Sequence, residues 1–107
     1  GVIIYPMCNI DDNVIIKPGV LLNNSTTVSH NTYIGFGTFI SPGVVISGNV
    51  KIGDGCFIGA GTIISNNVNI GNQVYIGAGS LITNNVNDNS HVIGNPMKII
   101  NKKFNLV

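Results

Sequence analysis

Charge is scarce in this 107-residue chain: charged residues make up 8%, Lys and Arg number 5 against 4 Asp and Glu, and the formal net charge is +1. Apart from Lys102 and Lys103 there is no basic run, which argues against a surface that grips a phosphate backbone. Apolar residues reach 44% but come in short pieces, well below the roughly 18 consecutive residues of a membrane helix. No charged-then-apolar signal segment opens the chain. The expectation is a cytoplasmic protein with neither nucleic acid nor membrane as partner. Gly1 stands where an initiator Met would, and the repeat described below is already running at Val2, which suggests a missing upstream part. A single domain of this size has limited surface to bury unless its fold is regular or it oligomerises.

What the chain has is a period of six. Every sixth residue from Ile4 through Ile10, Ile16, Leu22, Val28, Ile34 and onward to Ile82 is a branched aliphatic, in all fourteen hexads. Four positions after each stands a small residue, from Cys8 and Val14 to Ser80 and Val86. Neither a 3.6-residue helix nor strand alternation keeps one residue class on this period; a β-helix with a short strand and a turn in every hexad does. Three positions after the aliphatic the residue is Gly or Asn in eleven of fourteen hexads, the exceptions being Met7, Ser25 and Gln73. Gly and Asn tolerate positive φ best, so this slot is a corner. Pro6, Pro18 and Pro42 fall one position earlier, where a residue without an N–H does not interrupt a ladder.

With three hexads per triangular coil, residues 18 apart stack at about 4.8 Å, the spacing of neighbouring strands. The expected architecture is all-β: about four to five triangular coils over residues 1–87, followed by a cap or tail over 88–107. Asn13, Asn31, Asn49, Asn67 and Asn85 fall in one column, which predicts an amide ladder. Cys8 and Cys56 occupy the small inward slot on different faces, as packing residues that cannot pair.

The residue before each aliphatic points out of the prism. On one face it reads Ile3, Leu21, Phe39, Phe57, Tyr75, and on the next Val45, Ile63, Leu81. A soluble monomer does not normally expose such stripes. Two different apolar faces meeting head to tail close into a ring, and a homotrimer is the natural closure for a three-sided prism.

There are two histidines. His91 lies in the polar turn Asn87–His91 and reads as a solvated residue. His30 belongs to the column Asp12, His30, Gly48, Asn66, Asn84. A carboxylate at Asp12 would bond one ring nitrogen and fix the tautomer, freeing the other to take a proton from an attacking hydroxyl or amine. Gly48, lacking a side chain, would leave its backbone N–H open to a developing oxyanion.

The runs Val28-Ser29-His30-Asn31, Ile40-Ser41-Pro42-Gly43, Ser47-Gly48-Asn49-Val50-Lys51-Ile52-Gly53 and Ile58-Gly59-Ala60-Gly61 resemble the NeuD/PglD-like sugar O- and N-acetyltransferases. Gly94-Asn95-Pro96-Met97-Lys98 is similar to the Gly-x-Pro-Ala-Lys close of many hexapeptide acyltransferases. The resemblance implies a left-handed winding, a homotrimer with sites between subunits, acetyl-CoA as donor without a metal, and a sugar hydroxyl or amine as acceptor. It also implies a histidine base at His30 and a backbone donor at Gly48. A pantetheine channel would run along Ala60-Gly61 and Ala78-Gly79, with Gly48 and Asn66 counted on the cofactor side and Lys98 facing a CoA phosphate. The chain departs from the pattern twice: Asn31 follows the histidine where the family often has an acidic residue, and Phe39 stands at the family's second histidine. Two rival functions follow. One is a catalytically inactive trimeric β-helix that binds or assembles, which the departures favour. The other is a metal hydrolyase similar to the γ-type carbonic anhydrases, for which two histidines are too few.

Overall fold

The computed structural model describes residues 1–100, and these form a parallel β-helix without α-helix. The first coil holds β1 (Ile3–Ile4), β2 (Asn9–Ile10) and β3 (Ile15–Ile16), and the second β4 (Leu21–Leu22), β5 (Thr27–Val28) and β6 (Tyr33–Ile34). The third holds β7 (Phe39–Ile40), β8 (Val45–Ile46) and β9 (Lys51–Ile52), and the fourth β10 (Phe57–Ile58), β11 (Ile63–Ile64) and β12 (Asn69–Ile70). β13 (Tyr75–Ile76) and β14 (Leu81–Ile82) begin the fifth; β15 (His91–Ile93) and β16 (Lys98–Ile99) end the described chain. The first sheet runs β1-β4-β7-β10-β13-β15-β16, the second β2-β5-β8-β11-β14 and the third β3-β6-β9-β12. Pairing in step, as in Leu21 with Phe39 and Phe39 with Phe57, sets residues 18 apart side by side.

Strands of two residues have little stability alone, so the coil is held by what it buries. From Leu22 to Ile82 every periodic aliphatic is at most 2% exposed, and the small slot from Val20 to Ser80 at most 3%. Each full burial of such a side chain contributes about 1.5–3 kcal/mol. Ile4 and Ile10, 49% and 37% exposed, are exceptions because no coil covers them from below. The buried threonine hydroxyls are satisfied: Thr38 Oγ1, for one, donates to the Gly53 carbonyl at 2.8 Å and accepts from Cys56 N–H at 3.1 Å. Cys8 and Cys56 are free thiols.

The corner slot behaves as a corner in thirteen of fourteen hexads, from Met7 at φ 68° to Gly79 at 71°. Met7, Ser25 and Gln73 take the left-handed conformation too, at a cost of about 1–2 kcal/mol each; the geometry of the coil overrides their preference. Asn85 is the exception. The fifth coil is two residues short, so Ile70 bridges Val86 and Tyr75 pairs with His91 at a separation of 16. The expected asparagine column therefore ends at Asn67. Asn13, Asn31, Asn49 and Asn67 share a φ of 57–63°, but among the described residues no hydrogen bond joins one of these amides to the next, so the predicted ladder is corrected to a column of left-handed turns. β15 continues the first sheet beyond residue 87, and β16 turns back antiparallel against it. Residues 101–107 of the expected tail, Lys102 and Lys103 with them, lie outside the described residues.

The outward stripes stand as the period placed them. Phe39, Phe57 and Tyr75 stack face to face at 5.4 and 4.9 Å, and His91 closes the stack edge-on to Tyr75 at 4.8 Å. His91 is thus a half-buried strand residue and not a solvated turn residue. The two-residue shortening of the last coil is what lifts it out of the turn. No helix among the described residues is long and apolar enough to cross a membrane.

Candidate functional site

The corner between the second and third sheets carries the His30 column. Its members stack through the backbone: Asn31 N–H donates to the Asp12 carbonyl at 3.1 Å, Asn49 N–H to that of His30 at 2.9 Å and Asn67 N–H to that of Gly48 at 3.0 Å. Asn84 does not join them, because the chain beyond β14 makes a single bend in place of a full corner.

Within this column the imidazole leans toward Gly48. A Cβ built on Gly48 would lie 2.6 Å from both Cε1 and Nε2 of His30, closer than real contacts permit. Gly48 is buried while His30 is exposed. Gly48 has no left-handed φ, so the space it leaves for the ring is what the glycine supplies.

Two expectations about this corner are corrected. No hydrogen bond joins the Asp12 carboxylate to His30. The ring has leaned the other way, into the space above Gly48, and its Nδ1 lies 3.5 Å from Nδ2 of Asn31. Nor is the Gly48 N–H open, for it donates to Oδ1 of Asn66 at 2.9 Å. That bond is one rung of a device the period alone does not reveal. At the corner between the third and first sheets, Asp54 accepts from Phe36 N–H at 2.9 Å, Asn72 from Asp54 N–H at 2.8 Å and Asp88 from Asn72 N–H at 2.7 Å. A side chain of one coil thus accepts the backbone N–H one coil below it. The legible signal is Asp, Asn, Asp near an 18-residue spacing; the slip to 16 at Asp88 hides it.

The remaining predicted residues gather elsewhere. Ala60-Gly61 and Ala78-Gly79 form the exposed corner between the first and second sheets, joined by Gly79 N–H donating to the Ala60 carbonyl at 2.7 Å. Gly61 and Gly79 have open space where a Cβ would stand. Lys98 pairs with Ile93, whose side chain lies over Gly77. The candidate residues thus stand at two separate corners of one chain, His30 with Gly48 and Asn66 at one and the small residues at another. Between them lies the second sheet, with Val45 and Ile63 exposed, 38% and 46%, and Leu81 half-buried. An open groove of about 680 Å³ lies over the third sheet, against Lys51, Asn69, Asn72 and Asp88, away from both. Among the described residues no group of three His, Cys, Asp or Glu side chains could hold a metal ion.

The profile of the bacterial transferase hexapeptide family, six repeats long, matches residues 31–66. The six-residue period of this chain is the repeat that this profile describes over those residues. Among solved structures the chain is similar to the acetyltransferase domain of PglB from Neisseria gonorrhoeae, with 30% identity and a TM-score of 0.85, covering 94% of this chain and 58% of that one. The same domain in complex with acetyl coenzyme A matches at 30% identity with a TM-score of 0.77, over 92% of this chain and 57% of that one. Serine acetyltransferase of Neisseria gonorrhoeae in complex with serine matches at 28% identity and a TM-score of 0.62, over 91% of this chain and 41% of that one. The chain thus spans little more than half the length of the PglB domain. No curated protein sequence matches it.

Proposed function

We propose that this chain is the β-helical part of an acetyl-CoA-dependent acetyltransferase that works in the cytoplasm as a homotrimer and acetylates a sugar hydroxyl or amine. The observation that carries the reading is the pocket that Gly48 leaves for the His30 imidazole at an exposed corner. Support comes from the likeness to the PglB acetyltransferase domain, whose structure with acetyl coenzyme A is known. In this reading the His30 corner of one copy meets the Ala60–Ala78 corner and Lys98 of another, and the apolar faces that flank them form the contact. The Phe39–Phe57–Tyr75 stack would seat against the Val45, Ile63 and Leu81 face of the neighbour.

His30 acts as general base on the acceptor in this proposal. For Nε2 to take a proton, Nδ1 must hold one, and the Asn31 amide must then present its oxygen. The Asn31 amide lies 3.5 Å from Nδ1, and either of its ends can face the ring. Asn31 and Phe39, where the resembled family has an acidic residue and a second histidine, favour a second reading, a catalytically silent trimer that binds or assembles. Release of free thiol from acetyl-CoA in the presence of amino-sugar or nucleotide-sugar acceptors separates the two. The enzyme reading predicts thiol release that His30→Ala abolishes; full turnover by that variant would refute the base assignment.

A further inference from the structure

We infer that the side-chain amide of Asn66, not the backbone N–H of Gly48, is the group that binds the thioester carbonyl oxygen. The inference rests on the acetyl-transfer reading and deepens it. Gly48 N–H already donates to Asn66 Oδ1 at 2.9 Å. Gly48 is buried and Asn66 is exposed. With Oδ1 tied down as an acceptor, both protons of Nδ2 remain for a ligand. They stand in the same column as the imidazole, which is pressed against the far side of the same glycine. Base and donor are thus fixed on one residue, Gly48, from opposite sides.

The step balances as follows. The lone pair of the acceptor nitrogen or oxygen forms a bond to the thioester carbonyl carbon, and the C=O electron pair moves onto oxygen, where the Asn66 N–H groups stabilise it. His30 Nε2 takes the proton of the acceptor. Collapse restores C=O and breaks the C–S bond, and the leaving thiolate takes that proton from the imidazolium. The products are the acetylated acceptor and the free CoA thiol. A side-chain amide aimed at the developing oxyanion serves in this role as a backbone amide does, and loss of one such donor costs about 100- to 1,000-fold in kcat.

The rung itself supplies a discriminating variant. Asp54 and Asp88 accept the same kind of backbone bond with a carboxylate. Asn66→Asp therefore keeps the bond to Gly48 N–H and removes only the donor. Asn66→Ala instead uncovers the Gly48 N–H. The experiment measures kcat and the KM values for acetyl-CoA and for an amino-sugar or nucleotide-sugar acceptor in wild type, N66D, N66A and H30A, together with the affinity of each for acetyl-CoA and for CoA. The expected result is a fall in kcat of about 100-fold or more in N66D, with KM for the acceptor little changed. Wild type should bind acetyl-CoA more tightly than CoA, and N66D should lose that preference. Were N66A to match or exceed wild type while H30A is dead, Gly48 would be the donor and Asn66 a cap, which overturns the inference alone. Absence of acetyl-CoA binding in wild type overturns both this inference and the acetyl-transfer reading.

Discussion

His30 and Gly48 interlock: the imidazole lies where the Cβ of any other residue at position 48 would be, 2.6 Å from Cε1 and Nε2. Gly48→Ala should therefore swing the ring outward while leaving the coil intact, since Gly48 has no left-handed φ to lose. Displacing a base by about 1 Å costs on the order of 100-fold. The expected outcome is a kcat fall of that size with an unchanged melting temperature, read by thiol release and circular dichroism. A G48A variant with wild-type kcat would show that the ring's position against this glycine has no part in turnover.

Asn31 holds the neighbouring slot at φ 57°, with Nδ2 3.5 Å from the His30 Nδ1. An aspartate tolerates that backbone and offers only acceptors, so Asn31→Asp should place the proton on Nδ1 and leave Nε2 free. Activity should rise by about 10-fold, part of the roughly 100- to 10,000-fold that general-base catalysis contributes. Nitrogen NMR of the His30 ring checks the cause directly; a ring that stays protonated on Nε2 in N31D contradicts the account.

The aromatic stack bears on assembly. Phe57 sits between Phe39 and Tyr75 at 5.4 and 4.9 Å and is only half-buried within one chain. Phe57→Glu should leave the coil folded yet place a charge in the proposed contact between copies, where an unpaired charge is costly. Analytical ultracentrifugation should show trimer in wild type and monomer in F57E, with activity lost alongside. A variant that remains trimeric would move the interface to another face.

Burial raises the Cys56 thiol above its ordinary value, an effect that its hydrogen bonds only partly offset. The folded chain thus keeps this proton where the unfolded chain, with a thiol near 8.5, has lost it. Since the native state binds more protons in that window, stability is full below about pH 8.5 and falls as pH rises toward the folded value. Melting curves between about pH 8 and 10.5 should show a steeper alkaline loss in wild type than in Cys56→Val. Parallel slopes would mean that the thiol ionises without unfolding the coil.

How much of this was legible in the sequence differs between coil and site. Hexad spacing alone placed the core from Leu22 to Ile82, the outward stripe through Phe57, and thirteen of the fourteen corners, because a period repeated many times averages over local preference. Even Met7 and Gln73, poor residues for the left-handed region, were carried along by their neighbours. The same period failed at the fifth coil. Nothing in a spacing rule announces that two residues are missing between Ile82 and Val86, so Asn85 and His91 were set in the wrong places.

At the candidate site the sequence determined which residues share a corner, since Asp12, His30, Gly48 and Asn66 are 18 apart and the stacking follows from the coil. Tertiary structure alone decided which of them touch. Side chains at a corner lean either up or down the stack, and the choice depends on where space and partners lie: His30 leans to Gly48 because no Cβ stands there, and Asn66 reaches down to the Gly48 N–H because a buried donor needs an acceptor. The repeat determines neighbours; local space and unpaired backbone groups determine contacts.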